Sequence, residues 1–353
     1  MNDPNHIWLL VGTYNHPEPH APVARGAGLV SCAFDLGTGR IEQRHVCSGI
    51  INSSYLACDP AAGLIFSTSE SVTMANAVHM LRLQEDGSLE LLGIQPSHGL
   101  ATCHVAILPD GRVCAASYLQ SCIDLFPVNG DLLEPARNPV RYEGSGPNAA
   151  RQEASHAHQV VVAPGGRWFY VVDLGADCVW MHDAALAEEA VRLAMPAGHG
   201  PRHMAYHPAL RRAYVLGEMT GAVTVCDWSE SSGMLEVVAV TPAIGEDAAG
   251  AAIRVHPSGK ALWTSIRSTR SLRYFPLDEK GDPSEAVEVS LGDGEPRDFN
   301  ISPDGRWLVA ANQSAGHLAV IELDPVDGTP VGGGVVTFEM GTPCCVMFVE
   351  AGG

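Results

Sequence analysis

Positive charge is scarce in this sequence. Its 353 residues include 21 Lys and Arg against 40 Asp and Glu, which gives a formal net charge of −19 at pH 7. A protein of that charge repels nucleic acids and anionic membrane surfaces, so we expect neither as a partner. An anionic substrate would have to be held by a local group of arginines against the overall field, which makes the arginine positions informative.

Long apolar runs are missing as well. No stretch approaches the roughly 18 consecutive apolar residues that a membrane-spanning helix needs. The opening MNDPNHIWLLVGTY has no basic leader, and its apolar run IWLLV is too short for a signal-peptide core. We therefore expect a soluble, cytoplasmic protein that is a monomer or a small homo-oligomer.

Cysteines at C-x-x-C spacing and familiar catalytic motifs are absent too. The ten cysteines include no C-x-x-C spacing, which is typical of reduced thiols packed as small apolar residues. No nucleophile elbow, P-loop or dinucleotide fingerprint stands in a strand-turn-helix context. We therefore expect a site that works without a cofactor.

What the sequence does contain is a pattern that recurs about every fifty residues. An apolar stretch, a Pro-x-Gly turn and a second apolar stretch follow one another, as in HVAILPDGRVCAASY and FNISPDGRWLVAANQ. Each unit predicts a tight β-hairpin, because the turn residues suit it and the flanks are rich in β-branched and aromatic residues. The turn prolines are Pro60, Pro109, Pro164, Pro208, Pro257 and Pro303.

Further strands such as AVTVCDW and HLAVIELD follow the hairpins, which makes about four strands per unit. Six full units leave IWLLVGTYNH, which resembles the second strand of a hairpin, and TPCCVMFVE, which resembles the first. The pattern therefore predicts an all-β fold, a single seven-bladed β-propeller over residues 1–353 whose first blade is closed by the N- and C-terminal strands. A WD40 array is the alternative, but DW occurs once and no repeated Gly-His precedes it.

Hairpin geometry predicts which polar side chains meet. In each blade the start of the first strand lies beside the end of the second, at one mouth of the central channel. A mouth lined by polar groups is a candidate binding or active site. The predicted neighbours are Arg202 with Glu218, Arg297 with Gln313, Asn52 with Glu70 and His158 with Asp173, with Arg267 on the same rim.

Two of these residue sets have simpler interpretations. His156 and His158 share one face of a strand, a spacing that can chelate a metal, but no third ligand stands at matching spacing, and we predict no metal site. Arg202 and Glu218 could form a purely structural ion pair. Taken together, however, histidine, glutamate and several arginines suit anion recognition and proton transfer.

The segment GSGPNAARQEASHAHQVVVAPGGRWFYVVDLGADCV, with GHGPRHMAYHP and EPRDFNISPDGRWLVAANQ, resembles the lactonase family of seven-bladed propellers. That family includes bacterial 6-phosphogluconolactonase and fungal carboxymuconate-lactonizing enzyme. The resemblance implies a catalytic group of one histidine, two arginines and one glutamate, which map to His158, Arg202, Glu218 and Arg267. The expected substrate-binding residues around them are Glu70, His156, Asp173, Arg297 and Gln313.

The resemblance implies hydrolysis of a sugar-acid lactone, with 6-phosphoglucono-1,5-lactone of the pentose phosphate pathway as the first candidate. Glu218 and His158 would share the two proton transfers, and the arginines would bind the oxyanion and the substrate's anionic group. Other readings stay open: a lactone-forming or isomerising enzyme for a muconate-type carboxylate, a lactonase for an unphosphorylated sugar lactone, and a non-catalytic propeller. A metal-dependent lactonase would use Glu70 and Asp173 as oxygen donors.

Overall fold

The computed structural model describes residues 5–185, 189–332 and 334–350, and its regular structure within them consists of thirty strands. The first fifteen are β1 (His6–Thr13), β2 (Leu29–Asp35), β3 (Ile41–Cys47), β4 (Ser53–Asp59), β5 (Leu64–Ser69), β6 (Ala77–Leu83), β7 (Leu89–Pro96), β8 (Thr102–Ile107), β9 (Val113–Ser117), β10 (Cys122–Phe126), β11 (Val128–Asn129), β12 (Leu132–Leu133), β13 (Val140–Arg141), β14 (Ala157–Val162) and β15 (Trp168–Asp173). The remainder are β16 (Cys178–Asp183), β17 (Val191–Ala194), β18 (Pro201–Tyr206), β19 (Arg212–Gly217), β20 (Val223–Trp228), β21 (Leu235–Val240), β22 (Gly250–Val255), β23 (Ala261–Ile266), β24 (Ser271–Pro276), β25 (Val287–Ser290), β26 (Pro296–Ile301), β27 (Trp307–Asn312), β28 (His317–Glu322), β29 (Val336–Glu339) and β30 (Pro343–Val349).

The strands form seven four-stranded antiparallel sheets and one small ladder of β11 with β12. The first strand of each sheet packs against the first strands of the two neighbouring sheets, in the circular order β30, β4, β8, β14, β18, β22 and β26. These seven strands surround a central channel, and the predicted seven-bladed propeller is confirmed. No helix that could span a bilayer occurs in the described part of the chain.

Blade 1 is built from both ends of the chain. Its strand order is β3-β2-β1-β30, with the C-terminal strand innermost. Leu10 pairs with Met347 and Val11 with Val346 across this closure. The prediction that the terminal strands complete one blade is confirmed, including which of them comes first in the hairpin.

Packing between blades explains why the second strands read as continuous apolar runs. Every residue of β15, WFYVVD, is buried, because the two faces of each sheet pack against the two neighbouring blades. Tyr170 and Val172 of blade 4 share a core cluster with Met204 and Val215 of blade 5. Burying one such side chain stabilises the fold by about 1.5–3 kcal/mol. Burial declines outward, and the edge strand β21 is exposed along most of its length.

The ten cysteines are free thiols, most of them buried in these cores. Burial raises the pKa of Cys122 to about 11 and that of Cys58 to about 12. Their thiols therefore stay protonated near neutral pH and pack as small apolar groups.

The first strands of several blades carry a β-bulge near their start. The register shifts between Ala157 and Gln159 in β14, and between Pro201 and His203 in β18. A bulge inserts one residue that has no partner across the ladder and gives its side chain a new direction. The inserted residues here are His158 and Arg202, and equivalent shifts insert Cys103 in β8 and Arg297 in β26.

Candidate active site

One backbone hydrogen bond recurs in all seven blades. The residue that follows the second strand donates its N–H to the carbonyl of the residue that precedes the first strand, as Glu218 does to Gly200 over 2.8 Å. We call the donors the mouth ring: Tyr14, Glu70, Tyr118, Leu174, Glu218, Arg267 and Gln313. In each blade, the residue two positions after the one whose carbonyl accepts this bond lies on the first strand. We call these seven residues the channel ring: Cys344, Ser54, Cys103, His158, Arg202, Ala251 and Arg297.

A cavity of about 390 Å³ opens between these rings. The mouth ring contributes Glu70, Tyr118, Glu218 and Arg267 to its wall, and the channel ring contributes Cys103, His158, Arg202 and Arg297. Two side chains from outside the rings, His20 and Arg151, complete the polar lining. Six of the nine side chains predicted from the sequence as site residues therefore face one cavity.

Glu218 binds three guanidinium groups at once. Its Oε2 lies 3.0 Å from Nε of Arg202 and 3.0 Å from Nη2 of Arg267, and its Oε1 lies 2.6 Å from Nη2 of Arg151. The predicted meeting of Arg202 with Glu218 is confirmed. Because both carboxylate oxygens are occupied, Glu218 holds three arginines in fixed positions around the cavity.

The charges in this group determine its protonation. Burial alone would raise the pKa of Glu218, but Arg267, Arg202 and Arg151 together hold it well below its ordinary range. Burial lowers the pKa of Arg202 to about 10, and the like charge of Arg267 acts in the same direction. At neutral pH, Glu218 is therefore ionised and Arg202 is still protonated.

A second carboxylate, Glu70, lies in the same cavity wall. The Tyr14 hydroxyl donates to its Oε2 over 3.0 Å, and Nε2 of His20 lies 3.2 Å from its Oε1. Arg297 approaches Oε1 at 3.7 Å. Burial would raise the pKa of Glu70, whereas the hydrogen bond from His20 and the charge of Arg297 hold it below its ordinary range. Glu70 is therefore also a carboxylate at neutral pH.

His158 is a buried imidazole in the cavity wall. Burial, and then the nearby positive charge of Arg202, lower its pKa well below the ordinary value, so the imidazole is neutral at neutral pH. Its Nδ1 is buried and has no hydrogen-bond partner among the described residues. The side chain of His158 also lines the cavity, so a neutral imidazole is available to a molecule bound there.

Three predicted substrate-binding residues do not line the cavity. His156 stacks on Tyr118 with ring centroids 4.3 Å apart and lies 3.1 Å from Glu153. Asp173 accepts hydrogen bonds from the N–H of His156 and of Ala176. The structure thus places His156 and Asp173 behind the segment that carries His158.

Gln313 is the third of these residues. Although it belongs to the mouth ring, its Nε2 donates to the carbonyl of His20 over 3.4 Å. It shares a blade with Arg297, as predicted, but the Arg297 guanidinium instead lies beside Glu70 and over the ring of Tyr14 at 5.3 Å. Gln313 therefore contacts the loop that carries His20.

Two polar lining residues were not predicted from the sequence. Arg151 lies in the irregular segment between β13 and β14, and His20 lies in the long connection between β1 and β2. Neither position has a hairpin register that relates it to the channel. The only signal for Arg151 was its place in the Arg-Gln-Glu run just before the two histidines, and His20 had none.

The arrangement defines a class of site. Four guanidinium groups and two carboxylates surround a neutral, buried imidazole, which suits an anionic substrate whose reaction develops negative charge on oxygen. Within the described ranges, no group of three or more His, Cys, Asp or Glu side chains is placed to hold a metal ion. The fold and the site thus define a propeller with a charged cavity of about 390 Å³ at the channel mouth.

Comparison with known proteins assigns the chain to a family. The model of the family described as "Lactonase, 7-bladed beta-propeller" matches residues 8–348. The chain belongs to this lactonase family. A 6-phosphogluconolactonase of Bacillus subtilis is 27% identical over 312 residues, which cover 85% of this chain and 88% of the relative. A 6-phosphogluconolactonase of Pectobacterium carotovorum is 30% identical over 259 residues, covering 70% of this chain and 74% of the relative.

Solved structures agree with this assignment. The periplasmic gluconolactonase PpgL of Pseudomonas aeruginosa has a TM-score of 0.87 at 25% identity, over 98% of this chain and 99% of its own. A structure from Bacteroides fragilis has a TM-score of 0.89 at 24% identity, over 99% of both chains, and shows the shared fold.

Proposed function

We propose that the protein hydrolyses a lactone of an anionic sugar acid, with 6-phosphoglucono-1,5-lactone as the preferred substrate. The observation that carries this proposal is the binding of three arginines by one buried carboxylate, Glu218, at the mouth of the channel. Family membership and the relatives named 6-phosphogluconolactonase and gluconolactonase support lactone chemistry.

The excess of positive charge supports an anionic substrate. Arg151, Arg202, Arg267 and Arg297 line the cavity against the two carboxylates Glu70 and Glu218. Two guanidinium charges therefore remain without a matching carboxylate, which suits the phosphate of a phosphorylated lactone. Guanidinium groups bind phosphate and carboxylate oxygens through pairs of charge-assisted hydrogen bonds.

Arg202 and Arg267 are placed to stabilise the oxyanion. Both lie 3.0 Å from the same oxygen of Glu218, and Arg202 is buried whereas Arg267 is partly buried, with side-chain exposures of 4% and 18%. A lactone carbonyl bound beside them would develop its negative charge next to two fixed cations in a site of low dielectric. Removing one such donor costs about 2.7–4 kcal/mol in enzymes that use this form of stabilisation.

His158 is the residue best suited to accept a proton from the attacking water. It is neutral because burial lowers its pKa, so one ring nitrogen has a free lone pair, and the residue lines the cavity. Glu218 is poorly suited to this role, because three arginines occupy its oxygens and hold its pKa far below neutral pH. Glu218 would then act by positioning the arginines.

A pH-stat assay with freshly prepared substrates tests the proposal. Acid release from 6-phosphogluconolactone, from unphosphorylated gluconolactone and from a carboxylated muconate-type lactone is measured with and without enzyme. We expect the phosphorylated lactone to give the largest kcat/KM. Glu218→Gln should lower that value by about 100-fold or more, because the arginines lose their common anchor.

The exposed residue Glu230 provides a matched control. It pairs with Arg211 at 2.7 Å, and neither residue lines the cavity. Glu230→Gln should keep wild-type activity, so a loss confined to Glu218→Gln is due to the site. Hydrolysis of none of the three lactones above the uncatalysed rate would contradict the proposal, and preference for the carboxylated lactone would replace phosphate by carboxylate as the recognised group.

A further inference from the structure

Ring opening needs a proton as well as a nucleophile. The ring oxygen of a lactone leaves as an alkoxide unless an acid protonates it while the C–O bond breaks. Glu218 cannot supply that proton at neutral pH because three arginines keep it ionised, and Arg202 and Arg267 hold theirs too tightly. A separate group in the cavity wall must provide it, and His20 is the remaining imidazole of that wall.

His20 is held rigidly although it lies in a long connection. Glu18 and Ala21 exchange two backbone hydrogen bonds, of 3.1 and 2.9 Å, which close a tight turn around His20. The buried Glu18 carboxylate accepts the N–H of Val72 from blade 2 over 3.1 Å. From blade 7, Gln313 donates to the His20 carbonyl. The turn is therefore tied to two blades, and the His20 ring has a defined position.

The hydrogen bonds of the ring identify the nitrogen that can exchange a proton. The Tyr14 hydroxyl uses its proton on Oε2 of Glu70, so both Glu70 and the Tyr14 oxygen act as acceptors. Nε2 of His20 lies 3.2 Å from each of them and must be the donor. Nε2 thus keeps its hydrogen in either charge state of the ring, and a second proton can be gained or lost only at Nδ1.

The surroundings of His20 suit a group that cycles protons. Its side chain is 30% exposed, so the ring can recover a proton from water after each turnover. Glu70 and Tyr14 face it directly, and Arg297 lies behind Glu70 at 3.7 Å. A carboxylate on one imidazole nitrogen orients the ring while the other nitrogen serves the substrate, which is a recurring arrangement for histidines that transfer protons.

We propose that His20 is the general acid of the reaction, a role that rests on the lactone hydrolysis proposed above. Water forms a bond to the carbonyl carbon and gives its proton to His158. The tetrahedral intermediate collapses, the bond from carbon to the ring oxygen breaks, and Nδ1 of His20 gives its proton to that oxygen. His20 then takes a proton from solvent, the product carboxyl ionises, and His158 returns its proton as the product leaves.

The test compares His20→Ala with wild type on the best lactone substrate, after subtraction of the uncatalysed rate. We expect kcat to fall by about 100-fold or more with little change in KM, since general acid catalysis contributes roughly 10²–10⁴-fold. Added imidazole should restore activity to His20→Ala in a concentration-dependent way, because the cavity left beside Glu70 and Tyr14 can hold the free base.

Two controls separate the possible failures. His16→Ala removes an exposed histidine of the same connection that does not line the cavity and should retain activity. Glu218→Gln with added imidazole measures catalysis by imidazole in solution. A loss below threefold in His20→Ala, or a loss that appears in KM and is not rescued by imidazole, would overturn the role of His20. An inactive wild-type enzyme would instead overturn the proposed function.

Discussion

Arg202 and Glu218 leave adjacent strands of blade 5 and meet 3.0 Å apart at the channel mouth. The same oxygen of Glu218 also contacts Arg267 from blade 6. Its other oxygen contacts Arg151, which lies in the segment before the first strand of blade 4. One carboxylate thus joins three parts of the ring. The geometry of the site depends on how these blades pack, and each of the three arginines can be tested separately.

The two arginines on Oε2 of Glu218, Arg202 and Arg267, should matter most for kcat. Arg202→Ala and Arg267→Ala each remove a cation placed beside the expected oxyanion, so we expect kcat/KM to fall by about 30- to 1000-fold, or roughly 2–4 kcal/mol. Arg202→Lys should recover little, because a lysine ammonium cannot reproduce the directed contacts of the guanidinium. Steady-state kinetics measure the effect, and losses below threefold for both alanine variants would argue against the assignment.

Arg151 should affect substrate binding more than turnover. Its side chain is 44% exposed at the entrance, so its contact with an anionic group is available when the substrate first binds. We expect Arg151→Ala to raise KM by about tenfold with a smaller effect on kcat, and the rise should shrink for unphosphorylated gluconolactone. Equal effects on both lactones would mean that Arg151 only supports Glu218.

Asp173 should act through the position of His158. Its oxygens accept the N–H of His156 at 2.8 Å, the N–H of Ala176 at 3.0 Å and Nε1 of Trp180 at 2.8 Å. Asp173→Asn replaces one acceptor oxygen by a donor, so we expect the free energy of unfolding to fall by about 1–3 kcal/mol. We expect kcat to fall as well, with KM nearly unchanged.

Urea unfolding and steady-state kinetics of the same preparation test this prediction. Asp183 lies in the next strand of the blade and pairs with Arg167 at 3.6 Å near the surface. Asp183→Asn should therefore leave both the free energy of unfolding and kcat near the wild-type values. Wild-type stability in Asp173→Asn would show that its buried hydrogen bonds contribute little.

Stability should begin to fall at mildly acidic pH. Burial lowers the pKa of His104, His158 and His203 well below the ordinary value. Below about pH 6.5 the unfolded chain therefore binds protons that the folded protein does not, and the free energy of unfolding decreases as pH falls. Glu70 and Glu218, whose folded pKa values are also lowered, extend the decrease below about pH 4.5.

Urea unfolding at several pH values between 8 and 5 measures the first part of this decrease. The variant His203→Gln removes one of these buried histidines and should reduce the slope of the free energy of unfolding between pH 6.5 and 5. A wild-type free energy of unfolding that is constant over this range would contradict the predicted role of the buried histidines.

The repeat pattern was sufficient to predict the architecture and much of the charged cluster. Turn residues at regular intervals located the hairpins, and the pairing of strands across each hairpin then predicted that Arg202 lies beside Glu218. The same reasoning paired His158 with Asp173 and was wrong by one residue, because Leu174 is the member of the mouth ring in that blade. A shift of one residue moves a strand side chain to the opposite face, so Asp173 lies behind the site.

The bulges of the first strands and the positions of His20 and Arg151 could not be derived from the repeat period of the sequence. The bulges that insert His158 and Arg202 each add one residue to one strand of a pair, which the regular alternation of a strand does not predict. His20 and Arg151 lie in long connections whose paths are set by tertiary contacts such as that of Gln313 with the His20 carbonyl. Hydrophobic periodicity carries no information about such contacts.

The construction of blade 1 from both chain ends makes the active site a late product of synthesis. Strand β30 forms the inner wall of that blade, and Thr342, just before it, accepts the N–H of Arg25 at 2.9 Å in the connection that carries His20. Strand β1 must therefore wait for β30, which is translated later, before blade 1 is complete. A nascent chain that has already formed six blades still lacks a closed channel mouth, so activity reports on molecules in which β30 has joined blade 1.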